Sequence, residues 1–222
     1  MPRADQSAAD TAEVAGNTLL DAAEVLFYER GFQTVGMDEV REASGLPLKR
    51  IYSLYSGKEA LVVAMLDRRD RRWRAELATH VDRHTNPRDR VIAVFDWLST
   101  WLAGPGHRGC AWINAFGELG GTSEAVAGAA REHKERFREY LTGLVRDAGA
   151  SSTTADAAYL LAEGCMVTAG ITGTAQPAGQ AQRVLQLLLD RDDANLPTPS
   201  PSTGVDAATI PSTRDRPVRS SG

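Results

Sequence analysis

The chain has 222 residues, a formal net charge of −4 and 42% hydrophobic residues, enough for a sizeable core in one or two domains. Its slightly acidic balance excludes a general basic coat, so any nucleic-acid binding has to rest on a local patch. No apolar run approaches membrane-spanning length and the start, MPRADQSAADTAE, lacks an apolar signal core, so the expected location is the cytoplasm.

Residues 1–12 are small and polar and are expected to be disordered. The first helix is expected from about Val14 to Arg30, where Leu19, Ala22, Ala23, Leu26 and Phe27 recur at the spacing of one buried face, and Gly31 ends it. The next stretch, GMDEVREASGLPLKRIYSLYSGKE over 36–59, reads as two short helices across a tight turn and the start of a long third one. Gly36 suits the N-cap of a helix over Met37–Ser44. Gly45 supplies a permissive helix stop, and Pro47 suits the first turn of a helix over Leu48–Tyr55. Met37, Val40 and Ala43 can meet Ile51 with Leu54 or Tyr55, which leaves Lys49, Arg50, Tyr52 and Ser53 for the outside. Arginine can read guanine edges bidentately, lysine can hold guanine or phosphate, and the hydroxyls suit phosphate oxygens. This is the logic of a helix-turn-helix. Ser56 and Glu59 have the spacing of a capping box for the third helix.

With the preceding LLDAAEVLFYERGFQTV, this segment resembles the DNA-binding domain of TetR-family transcriptional regulators. The resemblance rests on Ala22-Ala23, Leu26-Phe27, Gly31-Phe32, Met37, Val40, Ala43, Gly45, Ile51-Tyr52 and Lys58-Glu59, over about Leu19 to Leu61 without gaps. It implies a DNA-binding head in residues 13–57 that contacts DNA through Leu48, Lys49, Arg50, Tyr52, Ser53 and, at the start of the third helix, Lys58, where the helix dipole would favour phosphate. Gly36, Arg41, Pro47, Ser53 and Leu54 depart from the common family pattern. The departures bear on the operator sequence and the phosphate contacts rather than on the fold.

The long helix from Lys58 to about His80 has an inner stripe of Val62, Leu66, Trp73 and Leu77. Its run Asp67-Arg68-Arg69-Asp70-Arg71-Arg72-Trp73-Arg74 reads as a solvated face with local ion pairs. Asn86-Pro87 opens a helix to about Ala103, with Val91, Val94, Phe95, Leu98 and Leu102 inward and Trp97 and Trp101 widening the stripe. Gly104-Pro105-Gly106 breaks it. The segment Gly109–Leu119 is apolar around most of its circumference and reads as a buried central helix. Thr122 or Ser123 caps a helix to about Asp147, with Val126, Ala130, His133, Phe137, Leu141 and Leu144 inward. Residues 153–173 form a helix rich in small residues, and Pro177 starts a last helix to about Asp190. Two consecutive apolar helices need a cover, and the same pair from a second copy would supply it, giving a two-fold homodimer. From residue 192 the chain is expected to be a disordered tail; beyond Asn195 it holds five of the ten prolines and few large apolar residues.

The expected fold is therefore all-α, about nine helices, with a helix-turn-helix head and a ligand-binding and dimerisation body over 58–191. The resemblance implies a one-component regulator, more readily a repressor than an activator, that binds a palindromic operator as a dimer and is released by a small molecule. For that ligand the candidates are Trp73, Trp97, Trp101, Trp112 and Phe116, with Cys110, Asn114, Glu118 and His133 as polar handles. Aromatics at helical spacing are equally well explained as core. Asn114 and Glu118 share a helix face, and either a ligand or a neighbouring helix can satisfy them. Cys110 and Cys165 have no metal-ligand spacing and read as free thiols, and no metal or other cofactor is expected. A sensor at His107 and Cys110, a catalytic pairing of Cys110 with His107 or His133, and a helical protein whose head no longer binds DNA are the rival readings.

Overall fold

The computed structural model describes residues 3–194, and for residues 3–11 their backbone only. Nine helices run through them in order: α1 Arg3–Arg30, α2 Met37–Ser44, α3 Leu48–Leu54, α4 Lys58–Val81, α5 Pro87–Leu102, α6 Ala111–Leu119, α7 Glu124–Asp147, α8 Ser152–Thr172 and α9 Gln176–Ala194. The tail expected beyond Asn195 lies outside the described residues, but positions 192–194 continue α9 rather than beginning it. The disordered start is corrected too, since α1 begins at Arg3. Alanines 4, 8, 9 and 12 favour helix and no breaker separates them from the amphipathic part.

In the head, α2 and α3 pack on α1. Leu19, Ala23, Phe27, Phe32 and Val35 close around Val40 of α2 and Ile51 of α3, all buried. Gly45 adopts φ +66° and its N–H donates to the Arg41 carbonyl, which ends α2 and turns the chain into α3. The Glu39 carboxylate accepts the Gly36 N–H at 2.9 Å, which is half of a capping box, and glycine offers the first turn of α2 no side-chain acceptor in return. Two caps differ from the sequence expectation. Pro47 is the N-cap of α3 rather than its first residue, and α4 is capped by Gly57 with no side-chain bond, so Ser56 and Glu59 form no capping box there.

The body is a bundle of α4, α5 and α7, with α6 packed on α7, α8 on α7 and α5, and α9 on α5 and α8. The expected inner stripes of α4, α5 and α7 are buried as read. The arginine run is a solvated face only in part: Asp67, Arg71 and Arg72 are exposed and Arg74 pairs locally with Asp70, but the run also reaches another helix. Arg68, Arg69 and Arg72 all reach Glu24 of α1, with Arg69 Nη1 at 2.6 Å, and the Arg69 guanidinium lies over the Tyr28 ring at 4.4 Å. The run thus fastens head to body, because α4 crosses α1 at this level and Glu24 stands in the seam. Only position, not composition, separates these arginines from an ordinary exposed series.

Candidate nucleic-acid interface and body cleft

On α3 the buried Ile51 fixes which residues face outward. Lys49 and Ser53 are exposed, Tyr52 is 50% exposed, and Leu48 and Arg50 are half-buried. The Ser53 hydroxyl donates to the Arg50 carbonyl at 2.7 Å, so its hydrogen is already engaged while its oxygen can still accept. Nearby cations are occupied, Arg30 by Glu39 at 2.5 Å and Arg41 by Asp38 at 3.7 Å. Among the described residues no carboxylate pairs with Lys49 or Arg50. No acidic residue stands in the first turn of α3, so this face presents uncompensated positive charge. Lys58 sits differently. Its ammonium donates to the Gln33 carbonyl at 3.0 Å and lies 5.9 Å from the Phe27 ring centroid. Burial lowers its pKa, against the pull of Glu118 and Glu39.

The aromatic candidates of the body are core. Trp73 stands edge-on to Trp97 at 5.0 Å, to Trp101 at 6.0 Å and to Phe137 at 5.1 Å, and Trp97 stacks on Trp101 at 5.8 Å. Trp112 lies flat on His133 at 3.5 Å. All four tryptophans and His133 are buried, whereas Phe116 turns to solvent at 50% exposure. These rings pack against one another where α4, α5, α6 and α7 meet, with Trp73 Nε1 and His133 Nε2 left without a hydrogen-bond partner.

A cleft of about 480 Å³ opens instead between α1, α6 and α8, at the junction of head and body. Of the expected handles it takes in Cys110, Asn114 and Glu118, and adds Tyr28, Met166 and the glycines 109 and 170. The α6 segment therefore is not buried on all sides: Phe116 and Gly117 are exposed and one flank faces the cleft. Both ends of α6 are tied to the head. The Tyr28 hydroxyl donates to the Gly109 carbonyl at 2.8 Å and accepts the Arg108 N–H at 3.1 Å. At the other end Glu118 Oε2 accepts the Gln33 N–H at 2.7 Å. Asn114 donates to the Arg108 carbonyl at 3.1 Å and so braces the loop before α6. That loop lies against α8. A β-carbon at Gly109, whose φ is +75°, would stand 2.6 Å from the Met166 carbonyl oxygen, and one at Gly170 would stand 2.9 Å from that of Arg108. Three distant parts of the sequence build this site, and periodicity within any one of them does not reveal it. The glycines at 109 and 170 are the one signal that two backbones meet.

Behind the cleft, α7 carries a charged cluster. The carboxylate of Asp70 accepts from His133 Nδ1 at 2.7 Å and from Arg74 at 2.9 Å. Burial opposes its charge, but the His133 and Arg74 donors prevail and hold its pKa down to about 2. For His133, burial works against the imidazolium, while Asp70 and Cys110 outweigh it and raise the pKa. Lys134 Nζ bridges Glu163 at 2.5 Å and Cys110 Sγ at 3.3 Å. Among the described residues no group of three or more metal-ligating side chains assembles. His107 faces Glu29 at 3.5 Å and the Tyr28 ring at 5.8 Å, and no contact joins it to Cys110.

Residues 19–65 match the family of bacterial regulatory proteins of the tetR type. An uncharacterised HTH-type transcriptional regulator of Mycobacterium tuberculosis is 29% identical over 136 residues, covering 59% of this chain and 66% of that protein's length, just short of two thirds. Among solved structures, a TetR-family regulator of Streptomyces coelicolor superposes with a TM-score of 0.74 at 25% identity, over 86% of this chain and 96% of that one. A TetR regulator of Chloroflexus aurantiacus gives 0.71 at 21% identity, over 82% and 98%, a likeness of fold.

Proposed function

We propose that the chain is a transcriptional regulator of the TetR family, a homodimeric repressor which binds a palindromic operator and is released by a small molecule. The observation that carries the DNA-binding part is the pair Lys49 and Arg50 on the outer side of α3, unpaired by any carboxylate among the described residues, with Tyr52 and Ser53 beside it. A short helix held from behind by Ile51 and Val40 can enter the major groove with the guanidinium toward guanine and the ammonium toward guanine or phosphate. In this reading residues 13–57 act as the head and 58–191 as the body, and Leu48 supports the reading surface by apolar contact. Lys58 acts through the Gln33 carbonyl, setting the angle between α4 and the turn after α1.

Dimerisation is supported by an apolar face left open on the last two helices. Leu160, Val167 and Ile171 on α8 and Val184 and Leu187 on α9 are exposed, Ile171 by 80% and Leu187 by 67%. They alternate with small residues such as Gly164 and Thr168, which let helices approach closely. A second copy of the same pair covers such a face by two-fold symmetry and spaces two heads for two half-sites. Release by a ligand is supported by the place of the cleft. An occupant held between α1, α6 and α8 touches head and body together, so it favours one head position only if it binds the two positions with different affinity. Among the described residues no helix is long and apolar enough to cross a membrane, in keeping with a cytoplasmic site of action.

Selection of bound duplexes from a random pool, with a Lys49→Ala/Arg50→Ala protein as control, tests the reading. Enrichment of a two-half-site palindrome that the control loses is the expected result. A folded dimer that enriches no sequence at moderate salt would assign the chain to a ligand-binding or catalytic role with a silent head. Enrichment without a palindrome, with a steep salt dependence, would indicate a general DNA binder. Transcription from the selected promoter separates repression from activation.

A further inference from the structure

The two cysteines of this chain are both buried, yet their surroundings are opposite. Cys165 donates to the Ala162 carbonyl at 3.1 Å, and burial pushes its thiol up to about 12. This is the ordinary state of an inert core cysteine. Cys110 is the N-cap of α6, and its side chain takes no hydrogen bond from the first turn. The Lys134 ammonium is 3.3 Å from its sulfur. His133, buried to 1% exposure, has its Nδ1 held by Asp70 at 2.7 Å and leaves Nε2 with no hydrogen-bond partner. That imidazole and the Cys110 thiol shift one another's titration. The remaining groups around the sulfur are Glu163 and Tyr159 of α8 and Tyr28 of α1. Glu163 is neutralised by Lys134. Burial raises the Cys110 thiol, but Lys134 first and His133 second bring it down to about 7. Cys110 also lines the cleft, together with Ile113, Met166, Val167 and Ile171.

We propose that Cys110 is a covalent attachment site for small alkenes conjugated to a carbonyl, which enter the cleft between α1, α6 and α8 and are captured by the thiolate. The thiolate lone pair forms a bond from sulfur to the β-carbon. The alkene π electrons move to give an enolate, and the imidazolium of His133 gives its Nε2 proton to the α-carbon. The products are a thioether, a neutral imidazole and a saturated carbonyl compound, with no oxidant consumed. Lys134 keeps the sulfur ionised beforehand, and Asp70 keeps His133 protonated and oriented. A soft carbon electrophile fits the mostly apolar walls beside the sulfur. The chemistry stands without the DNA-binding reading. Only its consequence rests on that reading: an adduct at the start of α6 would crowd the loop that Tyr28 ties to the head.

The test treats the full chain, without DNA, with equimolar methyl vinyl ketone and follows adducts by intact mass and peptide mapping. One adduct on Cys110 with Cys165 untouched is expected, with a rate that rises through a midpoint of about 7. Lys134→Met is expected to slow capture at neutral pH by about ten-fold and to move the midpoint upward, and Lys134→Arg to restore it. A Cys165→Ala protein and circular dichroism of each variant separate these effects from misfolding. Equal reaction of the two cysteines, reaction only in denaturant, or a Cys110 rate indifferent to the charge at position 134 would overturn the proposal. So would oxidation of Cys110 by hydrogen peroxide under conditions where the enone leaves it intact. A Cys110 adduct formed on a protein that selects no operator would leave the attachment site standing and remove only its regulatory consequence.

Discussion

Glu118 accepts the backbone N–H of Gln33 at 2.7 Å while Lys58 donates to the carbonyl of the same residue at 3.0 Å. One residue of the turn after α1 is thereby gripped on both its peptide groups, by the last turn of α6 and the first turn of α4. Removing the Glu118 carboxylate should free the Gln33 amide without disturbing the core, since no other described group takes its place. In Glu118→Ala the exchange of that amide is expected to quicken by about ten-fold, in line with roughly 1–2 kcal/mol for a partly exposed bond to a charged acceptor. Amides of α5 should keep their protection. Hydrogen exchange read by NMR checks both.

The interior pair Asp70 and His133 should govern acid stability. The sign follows from Asp70, whose folded pKa lies near 2, below its unfolded value. Its contribution is full above the unfolded pKa of about 4 and is lost as pH falls through the folded value, a window of about pH 4 to 2. His133 has a raised pKa, so its contribution is full below the unfolded value near 6.5 and is lost as pH rises through the folded one. Asp70→Asn removes the charge that both His133 and Arg74 need. It is expected to cost about 3–5 kcal/mol at neutral pH and to flatten the loss between pH 4 and 2. Urea unfolding across pH measures this.

The head was legible in the sequence because its signals are local. Gly45, Pro47 and the spacing of Val40 and Ile51 are read within twenty residues, and α2 and α3 stand where those residues put them. Burial of Trp73, Trp97, Trp101 and Trp112 was legible as well, but not its purpose. A ring at helical spacing looks alike whether it faces another ring or a ligand, and here the rings face each other. The cleft was legible only in part. Cys110, Asn114 and Glu118 stand on one helix, but Tyr28 and Met166 reach them from 81 residues before Gly109 and from across α8. The seam of Arg68, Arg69 and Arg72 on Glu24 escaped for the same reason, since a partner on another helix leaves no mark in the run itself.

If α8 and α9 cover each other across a two-fold axis, charge placed in that face should split the dimer and leave the protomer intact. Ile171 and Leu187 are the most exposed large apolar residues of the two helices, so an acidic side chain at either costs the monomer little. In the dimer each substitution is repeated by symmetry and sets like charges together in an apolar seam. Ile171→Asp/Leu187→Glu is expected to sediment as a monomer with unchanged helicity, and a still-dimeric variant would place the interface elsewhere.

The reading surface makes a sharper demand, because its two cations are assigned different tasks. If Lys49 holds phosphate, Lys49→Ala should weaken every duplex alike and reduce the slope of log affinity against log salt by about 1. Arg50 is half-buried against the head and is placed to read a base edge. Arg50→Ala should cost about 1–3 kcal/mol on the selected operator and relax preference at one position of each half-site, with less effect on unrelated duplexes. Fluorescence anisotropy at several salt concentrations, on the operator and on a scrambled duplex, yields both quantities. Equal slopes for wild type and Lys49→Ala, with preference lost, would exchange the two roles: lysine at the base edge and arginine at the phosphate.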